Sequence, residues 1–509
     1  MDTLLQREVS NGSGRRSHAL LLPYPAQGHI NPLLQLGKRL AAQGVRVTVA
    51  TMVHLHAKLQ RAQDLSSSSG SQQQPISGDL LQLTSIEDGL PADFERDKWT
   101  PALVEVVDCT LQEGALGLIH MLAAQGRPVT CIVGDFFLRW TSSLAQRAAL
   151  PEFVFWPQCA STYSVFLHVD GLVSAGYDPY EANGFDMAIH PADLPFESPV
   201  GKSALEWLRE LLAFRFTRIG KAHGVIVNSF EALEPQVFKA LNLELQQSVP
   251  HPQYGHNWPR CIKLVGPLVP SALVREEKGD EVSGTSLWQE EVEECRQWLD
   301  QQPAASVLFV AFGSFAVMEV EQVRELALGL AASSQRFLWV IRDGAVKAKP
   351  LQDGSFDTAA YEGKLEEALP EGFMQGSLGK VVRWAPQPLV LRHPAVGGFF
   401  SHCGWNSTLE AVCAGVPILG WPWMMDQVTN CWLVSHLWQV GLPLLRHPDN
   451  TTSQGLVHTS ICRLMQGPTA QAMRARALHL SDLARHAALN PHPLVSLVDR
   501  IHELASSTH

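Results

Sequence analysis

No stretch of this 509-residue chain approaches the roughly 18 uninterrupted apolar residues that a membrane-spanning helix needs. The opening segment, MDTLLQREVSNGSGRRS, lacks the apolar centre of a secretory signal, so a cytoplasmic protein is expected. Charge is scarce as well. Asp, Glu, Lys and Arg together make up 17% of the chain, the net charge is -11, and no Lys/Arg block occurs, which argues against a nucleic-acid or anionic-lipid surface. There is no Asp-x-Asp, so nothing suggests a metal bridging a diphosphate, and neither a metal site nor a bound cofactor is expected. The segment Pro23-Tyr-Pro-Ala-Gln-Gly28 stands where a dinucleotide-binding dehydrogenase would carry Gly-x-Gly-x-x-Gly. The nine cysteines are an odd number, and some lie inside apolar runs such as Val129–Val133, so they read as reduced, buried thiols.

What the chain does have is apolar bulk, 46% of its residues, enough for two or three domains with sizeable cores. Buried-strand runs alternate with helical spacing throughout, as in stacked β-α units with parallel sheets. His18–Leu22 reads as a strand and is followed by Leu33, Leu36, Gly37 and Leu40 at helical spacing. Further strands fit 45–50, 80–83, 129–133, 153–155, 225–228 and 262–265. A second series runs from Ser306–Phe312 through 337–341, 381–382, 395–402, 416–419 and 442–445, with a helix at 320–330. Between them, Arg275–Thr285 has linker composition, and the tracts 66–74 and 343–363 read as surface loops. The fold class expected is α/β, with two facing doubly wound, Rossmann-like domains. The expected boundaries are 1–266 for the first half, 267–290 for the linker, 291–480 for the second half and 481–509 for a terminal helical segment packing back on the first half.

The densest chemistry lies between Trp384 and Gln427. In open parallel sheets ligands bind beyond the carboxyl ends of the strands, where helix N-termini converge. The strand Val396–Phe400 leads through Ser401-His402 into Gly404-Trp405-Asn406-Ser407 and then a helix, which suits a diphosphate: Gly404 permits close backbone approach, and the helix start is positive. His402 can donate to a phosphate oxygen, and Glu410, one turn further, can accept ribose hydroxyls. Trp384 beside Ala385 offers an indole face to a planar base, a stacking worth roughly 1 to 3 kcal/mol. Asp426 and Gln427 can bond the hydroxyls of a hexose. Singly, each has an ordinary reading as core, helix cap or solvated face; their order and spacing argue for a site.

A second constellation lies in the first half. Asn31 and Pro32 read as N-cap and first helical residue, which places His29 in the turn after the first strand. The positive helix end favours a neutral imidazole, the form that takes a proton from an acceptor hydroxyl. Asp135 ends the strand at 129–133. Strand ends and strand-to-helix turns share one edge of a parallel sheet, so the two side chains can meet, the carboxylate fixing the tautomer of the base.

The run Trp384-Ala-Pro-Gln387, His402-Cys-Gly-Trp-Asn-Ser407, Glu410, Pro422 and Asp426-Gln427 resembles the signature box of plant UDP-dependent glycosyltransferases of secondary metabolism, enzymes of GT-B architecture. The resemblance extends to Pro25–Pro32, Val265–Leu268 and Phe312-Gly-Ser314. It implies that Trp384 stacks on uracil, that Ala385 and Gln387 lie by the base and ribose, and that Glu410 holds the ribose. His402, Asn406, Ser407 and the Ser314 loop then hold the phosphates, Trp405, Asp426 and Gln427 hold the sugar, and His29 and Asp135 are the catalytic pair. Trp405 and the terminal Gln427 are similar to those of glucose-using members, implying UDP-glucose as the co-substrate. One departure is Pro157 in Phe155-Trp-Pro-Gln158, where the family often has a sugar-contacting Thr; Gln158 or another group must then substitute.

The expected activity is therefore metal-independent, inverting transfer of glucose to a hydroxyl of a small apolar acceptor, phenolic or flavonoid in type. Eight aromatic residues from Phe136 to Phe166 supply candidates for an acceptor cavity, although most read as ordinary core. The alternatives are a terpenoid, hormone or carboxylic acid acceptor, or a non-catalytic UDP-sugar-binding protein. A monomer without nucleic-acid partner or membrane span is expected.

Overall fold

The structure, a computed structural model, describes residues 17–68, 80–91, 94, 106–168, 219, 222–246, 261–275, 289–314, 316–342, 344–347, 368–373, 378–423, 425–447 and 451–507. Two parallel sheets carry the chain. The first contains β1 (His18–Leu22), β2 (Arg46–Met52), β3 (Leu81–Ile86), β4 (Cys131–Asp135), β5 (Glu152–Trp156), β6 (Gly224–Val227) and β7 (Ile262–Leu264), in the order β3-β2-β1-β4-β5-β6-β7. The second contains β8 (Val307–Ala311), β10 (Arg336–Val340), β12 (Gly379–Val382), β13 (Val396–Ser401), β14 (Ile418–Gly420) and β15 (Gly441–Pro443), in the order β12-β10-β8-β13-β14-β15. Short β9 (Met318–Glu319) and β11 (Val346–Lys347) pair with each other.

Parallel neighbours need crossovers, and helices supply them. In the first half these are α1 (Gln27–Ala42), α2 (Val53–Ser68), α3 (Leu111–Ala124), α4 (Thr141–Arg147), α5 (Ala160–Leu167) and α6 (Pro235–Gln246). In the second they are α7 (Gln289–Asp300), α8 (Val320–Ala332), α9 (Gln387–Arg392), α10 (Trp405–Ala414), α11 (Asp426–Trp432), α12 (Gln454–Met465) and α13 (Gly467–Leu489). Helices on both faces explain why β1, β4, β5 and β8 are buried at every position and read as continuous apolar runs.

Both sheets repeat one plan. The first strand sits centrally, the next two extend to one side, and the chain then returns to the other. The reversal falls between β1 and β4 in the first sheet and between β8 and β13 in the second. At such a switch point the loops diverge and leave a crevice. The last helix, α14 (His492–Ser507), crosses back: Leu497, Val498 and Ile501 join the core formed by β1 and α1, Ser17 Oγ meets His502 Nδ1 at 2.6 Å, and Lys263 Nζ donates to Ser496 Oγ at 2.9 Å.

Some local expectations are corrected. Residues 66–68 belong to α2 and residues 346–347 to β11, where the sequence reads as loop; the pairing of Val346 with Met318 gives the second its order. Residues 69–74, 343, 348–363 and 276–288 lie outside the described residues, and residues 289–290, expected in the linker, open α7. Among the described residues no helix is long and apolar enough to cross a membrane.

One apolar core crosses the boundary between the halves, bringing Cys159, Phe230 and Leu233 together with Cys403, Trp405, Leu433 and Trp438. The two indole N–H groups at this seam reach across it, Trp405 Nε1 to Asn228 O at 2.7 Å and Trp438 Nε1 to Leu233 O at 3.1 Å. Apolar burial holds the halves together, and these bonds set their register.

Candidate functional site

The first switch point brings the proposed pair together. β1 and β4 are neighbours, with Leu22 opposite Gly134, so the loop after β1 and the residue after Gly134 leave the sheet side by side. His29 Nδ1 lies 2.9 Å from Asp135 Oδ2, and Asp135 Oδ1 accepts the backbone N–H of Phe137, also at 2.9 Å. Asp135 is wholly buried while the His29 side chain keeps 17% of its surface exposed. With Nδ1–H donated to the carboxylate, Nε2 is the acceptor site. The ring is flanked by Tyr24 at 5.3 Å and by Phe137, edge-on, at 5.1 Å between centroids.

The start of α1 differs from the sequence expectation. The N-cap is Ala26 rather than Asn31, so His29 lies in the first helical turn and Pro32 inside the helix. An internal proline lacks the N–H that would bond the carbonyl four residues back, here that of Gly28. That carbonyl instead accepts Asn406 Nδ2, from the other half of the chain, at 3.0 Å. A partner remote in sequence thus makes the internal proline tolerable.

The second switch point builds the other wall. β8 and β13 are neighbours, with Ala311 opposite Ser401, and the turns Gly313-Ser314 and His402-Cys403-Gly404 leave them together. His402 is wedged between two glycines. A Cβ on Gly313, whose φ is +74, would stand 2.6 Å from His402 Nε2, and one on Gly404 would stand 2.5 Å away. Gly404 has an ordinary φ of -58 and is the N-cap of α10, so Asn406 and Ser407 lie in the first turn rather than at the cap. The first N–H groups of a helix have no intrahelical acceptor. That of Trp405 lies near the Asp426 carboxylate and favours its charged form.

Trp384 and Ala385 follow β12, and Gln387 opens α9 against α10. Gln387 Nε2 donates to Ser407 Oγ at 2.9 Å and to Glu410 Oε2 at 2.7 Å, fixing that carboxylate at the crevice. Asp426 and Gln427 open α11. Gln427 Oε1 accepts the Trp423 N–H at 2.8 Å, and Asn430 Nδ2 donates to Asp426 Oδ2 at 2.7 Å. The structure therefore places His29 and Asp135 at the first switch point and the turns with Ser314 and with His402, Asn406 and Ser407 at the second, while Trp384 and Ala385 follow the edge strand β12, Asp426 and Gln427 follow β14, and the Trp405 indole is buried in the seam core. Of the eight aromatics, however, Phe136, Trp140, Phe153, Phe155, Trp156, Tyr163 and Phe166 are core at 4% exposure or less. Phe137 is the one of the eight beside His29.

Burial governs the electrostatics. It holds the His402 imidazole down to about 4, so this ring stays neutral across the physiological range. Burial pushes the Asp426 carboxyl up to about 6, opposed by hydrogen bonds from Asn430 and the local backbone and by the nearby His29. Glu410 is pushed up to about 7 by burial, against the lowering influence of the Gln387 amide. A carboxyl with that value gains its proton as pH falls from 8 to 6, and the protonated form is the poorer acceptor of two hydroxyls. UDP affinity, followed by calorimetry, is expected to weaken about tenfold over that interval, and the Glu410→Gln variant to lose most of this pH dependence. An unchanged slope in the variant would assign the titration elsewhere.

Three participants went unread in the sequence. Tyr24 stands in the Pro-Tyr-Pro turn, and Gly313, part of Phe312-Gly-Ser314, was given no role of its own. Asn430 lies four residues after Asp426, a helical spacing at which carboxylate and amide meet. Gln158, offered as a substitute for the missing threonine, is 9% exposed, and its Oε1 is buried without a hydrogen-bond partner. Among the described residues no group of three or more His, Cys, Asp or Glu is placed to hold a metal ion.

Comparison with known proteins gives the same two-part division. A family model described as UDP-glucoronosyl and UDP-glucosyl transferase matches residues 280–491, and one described as glycosyltransferase, N-terminal domain, matches residues 18–251. The chain is 33% identical to a 7-deoxyloganetin glucosyltransferase of Gardenia jasminoides, with 93% of this chain and 94% of that protein covered. It is 31% identical to gallate 1-beta-glucosyltransferase 84A23 of Punica granatum, with 91% and 85% covered. Among solved structures it is similar to a UDP-glucosyltransferase from Polygonum tinctorium capable of glucosylating indoxyl, with a TM-score of 0.69, 29% identity, and 97% of this chain and 100% of that one covered.

Proposed function

Since the chain belongs to the UDP-glucoronosyl and UDP-glucosyl transferase family and is a plant-type UDP-glycosyltransferase of GT-B architecture, we propose that it transfers glucose from UDP-glucose to a hydroxyl of a small phenolic acceptor, with inversion and without a metal ion. One observation carries the reading. His29, bonded to Asp135 at 2.9 Å, is the residue next to Gly28, whose carbonyl takes Asn406 at 3.0 Å, so proton acceptor and donor turn share one crevice.

In the proposed reaction the acceptor hydroxyl gives its proton to His29 Nε2 as its oxygen attacks the anomeric carbon. The bond from that carbon to the UDP oxygen breaks on the opposite face, and UDP leaves with the electron pair. Asp135 stabilises the imidazolium, which later returns its proton to solvent. Charge developing on the diphosphate is met by N–H groups at the start of α10 and by the neutral His402 ring acting as a donor. Asp426 and Gln427 are the groups assigned to the hexose; the Trp405 indole, expected there from the sequence, is instead buried with its N–H on Asn228 O.

The phenolic acceptor is supported by the Tyr24 and Phe137 rings beside His29, which suit a flat ring, and by the gallate and indoxyl named for the relatives. The 7-deoxyloganetin relative favours a terpenoid acceptor as the second reading. Incubation with UDP-glucose and a panel of phenols, terpenoid alcohols and carboxylic acids, scored by mass spectrometry, separates them. The anomeric coupling of the product is expected to report a β-linkage, and an α-linkage would end the single-displacement scheme. Activity is expected to be unchanged by EDTA; a requirement for added divalent ion would refute the metal-free reaction.

A further inference from the structure

We infer that Asn430 is the positioning residue that aims the Asp426 carboxylate at the donor sugar, and that it does so while docked on the acceptor half through Cys159. The inference rests on the reading of this cleft as a UDP-glucose site and adds to it a residue that acts only through its neighbours.

Asn430 is 0% exposed, and all of its polar atoms are engaged. Its Nδ2 donates to Cys403 O at 2.9 Å and to Asp426 Oδ2 at 2.7 Å, while its Oδ1 accepts the Cys159 thiol at 3.3 Å. The partners fix which end of the amide is which, because two acceptors face one end and a donor faces the other. The bond to Cys403 matters because that residue holds φ at +61, a conformation uncommon for a side-chain-bearing residue that must be held by its surroundings. The bond to Asp426 ties the same amide to the carboxylate that opens α11. One side chain therefore sets the phosphate turn and the sugar-facing acid in a common register.

The bond to Cys159 reaches the other half of the chain. Cys159 is the N-cap of α5, and its sulfur accepts the Thr162 N–H at 3.2 Å. The start of α5 is held further by buried Glu234, which takes the N–H groups of Ala160 at 3.0 Å and Ser161 at 2.7 Å. Docking of the acceptor half and orientation of the sugar-facing acid thus run through one buried chain, from α5 through Cys159 and Asn430 to Asp426. The phosphate turn has further support of its own, since Ser401 Oγ accepts the Cys403 N–H at 3.2 Å and the His402 ring is wedged between glycines. Loss of the Asn430 amide should accordingly fall on the sugar-bearing donor more than on UDP.

Asn430→Ala is expected to raise KM for UDP-glucose about tenfold, the loss of one hydrogen bond to a charged group, while Kd for UDP by calorimetry stays within about twofold. In a double-mutant cycle with Asp426→Asn, the two effects on KM should be strongly non-additive, because one residue acts through the other. Additive effects, or equal losses for UDP and UDP-glucose, would overturn the inference. Cys159→Ala leaves both Nδ2 bonds in place and is expected to raise KM about two- to threefold, with Cys159→Ser restoring it. An unchanged KM in Cys159→Ala removes the docking part of the inference, and that series decides the matter if Asn430→Ala proves unable to fold and bind UDP. Failure of the unsubstituted protein to use UDP-glucose would defeat the proposed function instead.

Discussion

His29→Ala is expected to lower kcat by about a thousandfold while leaving UDP affinity near its original value, because general-base catalysis contributes about 10² to 10⁴ and the donor wall is built from the other sheet. The physical case starts from Asp135, wholly buried and bonded to His29 Nδ1 at 2.9 Å. With that nitrogen committed to Asp135, Nε2 is the ring atom left to accept a proton. Asp135→Asn should keep the packing but offer its amide to Nδ1, favouring the tautomer whose Nε2 carries the proton and so removing the acceptor site. Its kcat is expected to fall by a similar order, with a shallower loss in Asp135→Ala, where water can enter. Initial rates of UDP release at saturating donor, read beside calorimetric UDP binding, make the comparison. Near-normal turnover of His29→Ala would remove this residue from the chemistry.

The second large effect is expected at His402. Its ring is held near neutrality by burial, with its value lowered to about 4, and its Nε2 lies against the backbones of Gly313 and Gly404 at the start of the α10 turn. On the proposed reaction this neutral ring is a donor to the diphosphate, the kind of group whose removal costs about 10² to 10³ in kcat. His402→Ala is expected to show that loss with a pH profile unchanged between 6 and 9, since the ring does not titrate there. Gly313→Ala should approach the same defect by another route: at φ +74 an added methyl is strained, and it would stand 2.6 Å from Nε2, so the ring must move. A Gly313→Ala variant of normal activity would show that the ring need not keep this position, and full activity in His402→Ala would shift the burden of charge stabilisation to the helix N–H groups.

The grouping of the proposed donor residues was legible in the sequence because they lie close together along the chain. Trp384, Gln387, the turn from His402 to Ser407, Glu410 and Asp426 follow a strand-turn-helix pattern whose spacing alone aims them at one sheet edge. The strands were legible for a related reason: buried parallel strands are continuous apolar runs, as in Val307–Ala311. The start of α1 was misread because proline most often opens a helix. Here the side chain that receives the carbonyl left by Pro32 is Asn406, 378 positions away, and nothing near Pro32 announces it. The aromatics between Phe136 and Phe166 were equally ambiguous, since core and cavity draw on the same residue types; only packing separates Phe137 from the rest.

By itself the sequence determined the chemical inventory and the repeated β-α plan, because spacing, strand character and turn chemistry act between near neighbours along the chain. Tertiary structure decided which of those groups meet. It placed β1 beside β4 and β8 beside β13, so that His29 and Asp135, 106 positions apart, share a hydrogen bond. It also turned Asn406 toward Gly28 and Asn430 toward Cys159 across the seam. Such contacts depend on how two apolar surfaces fit, and that fit is a property of the packed core as a whole.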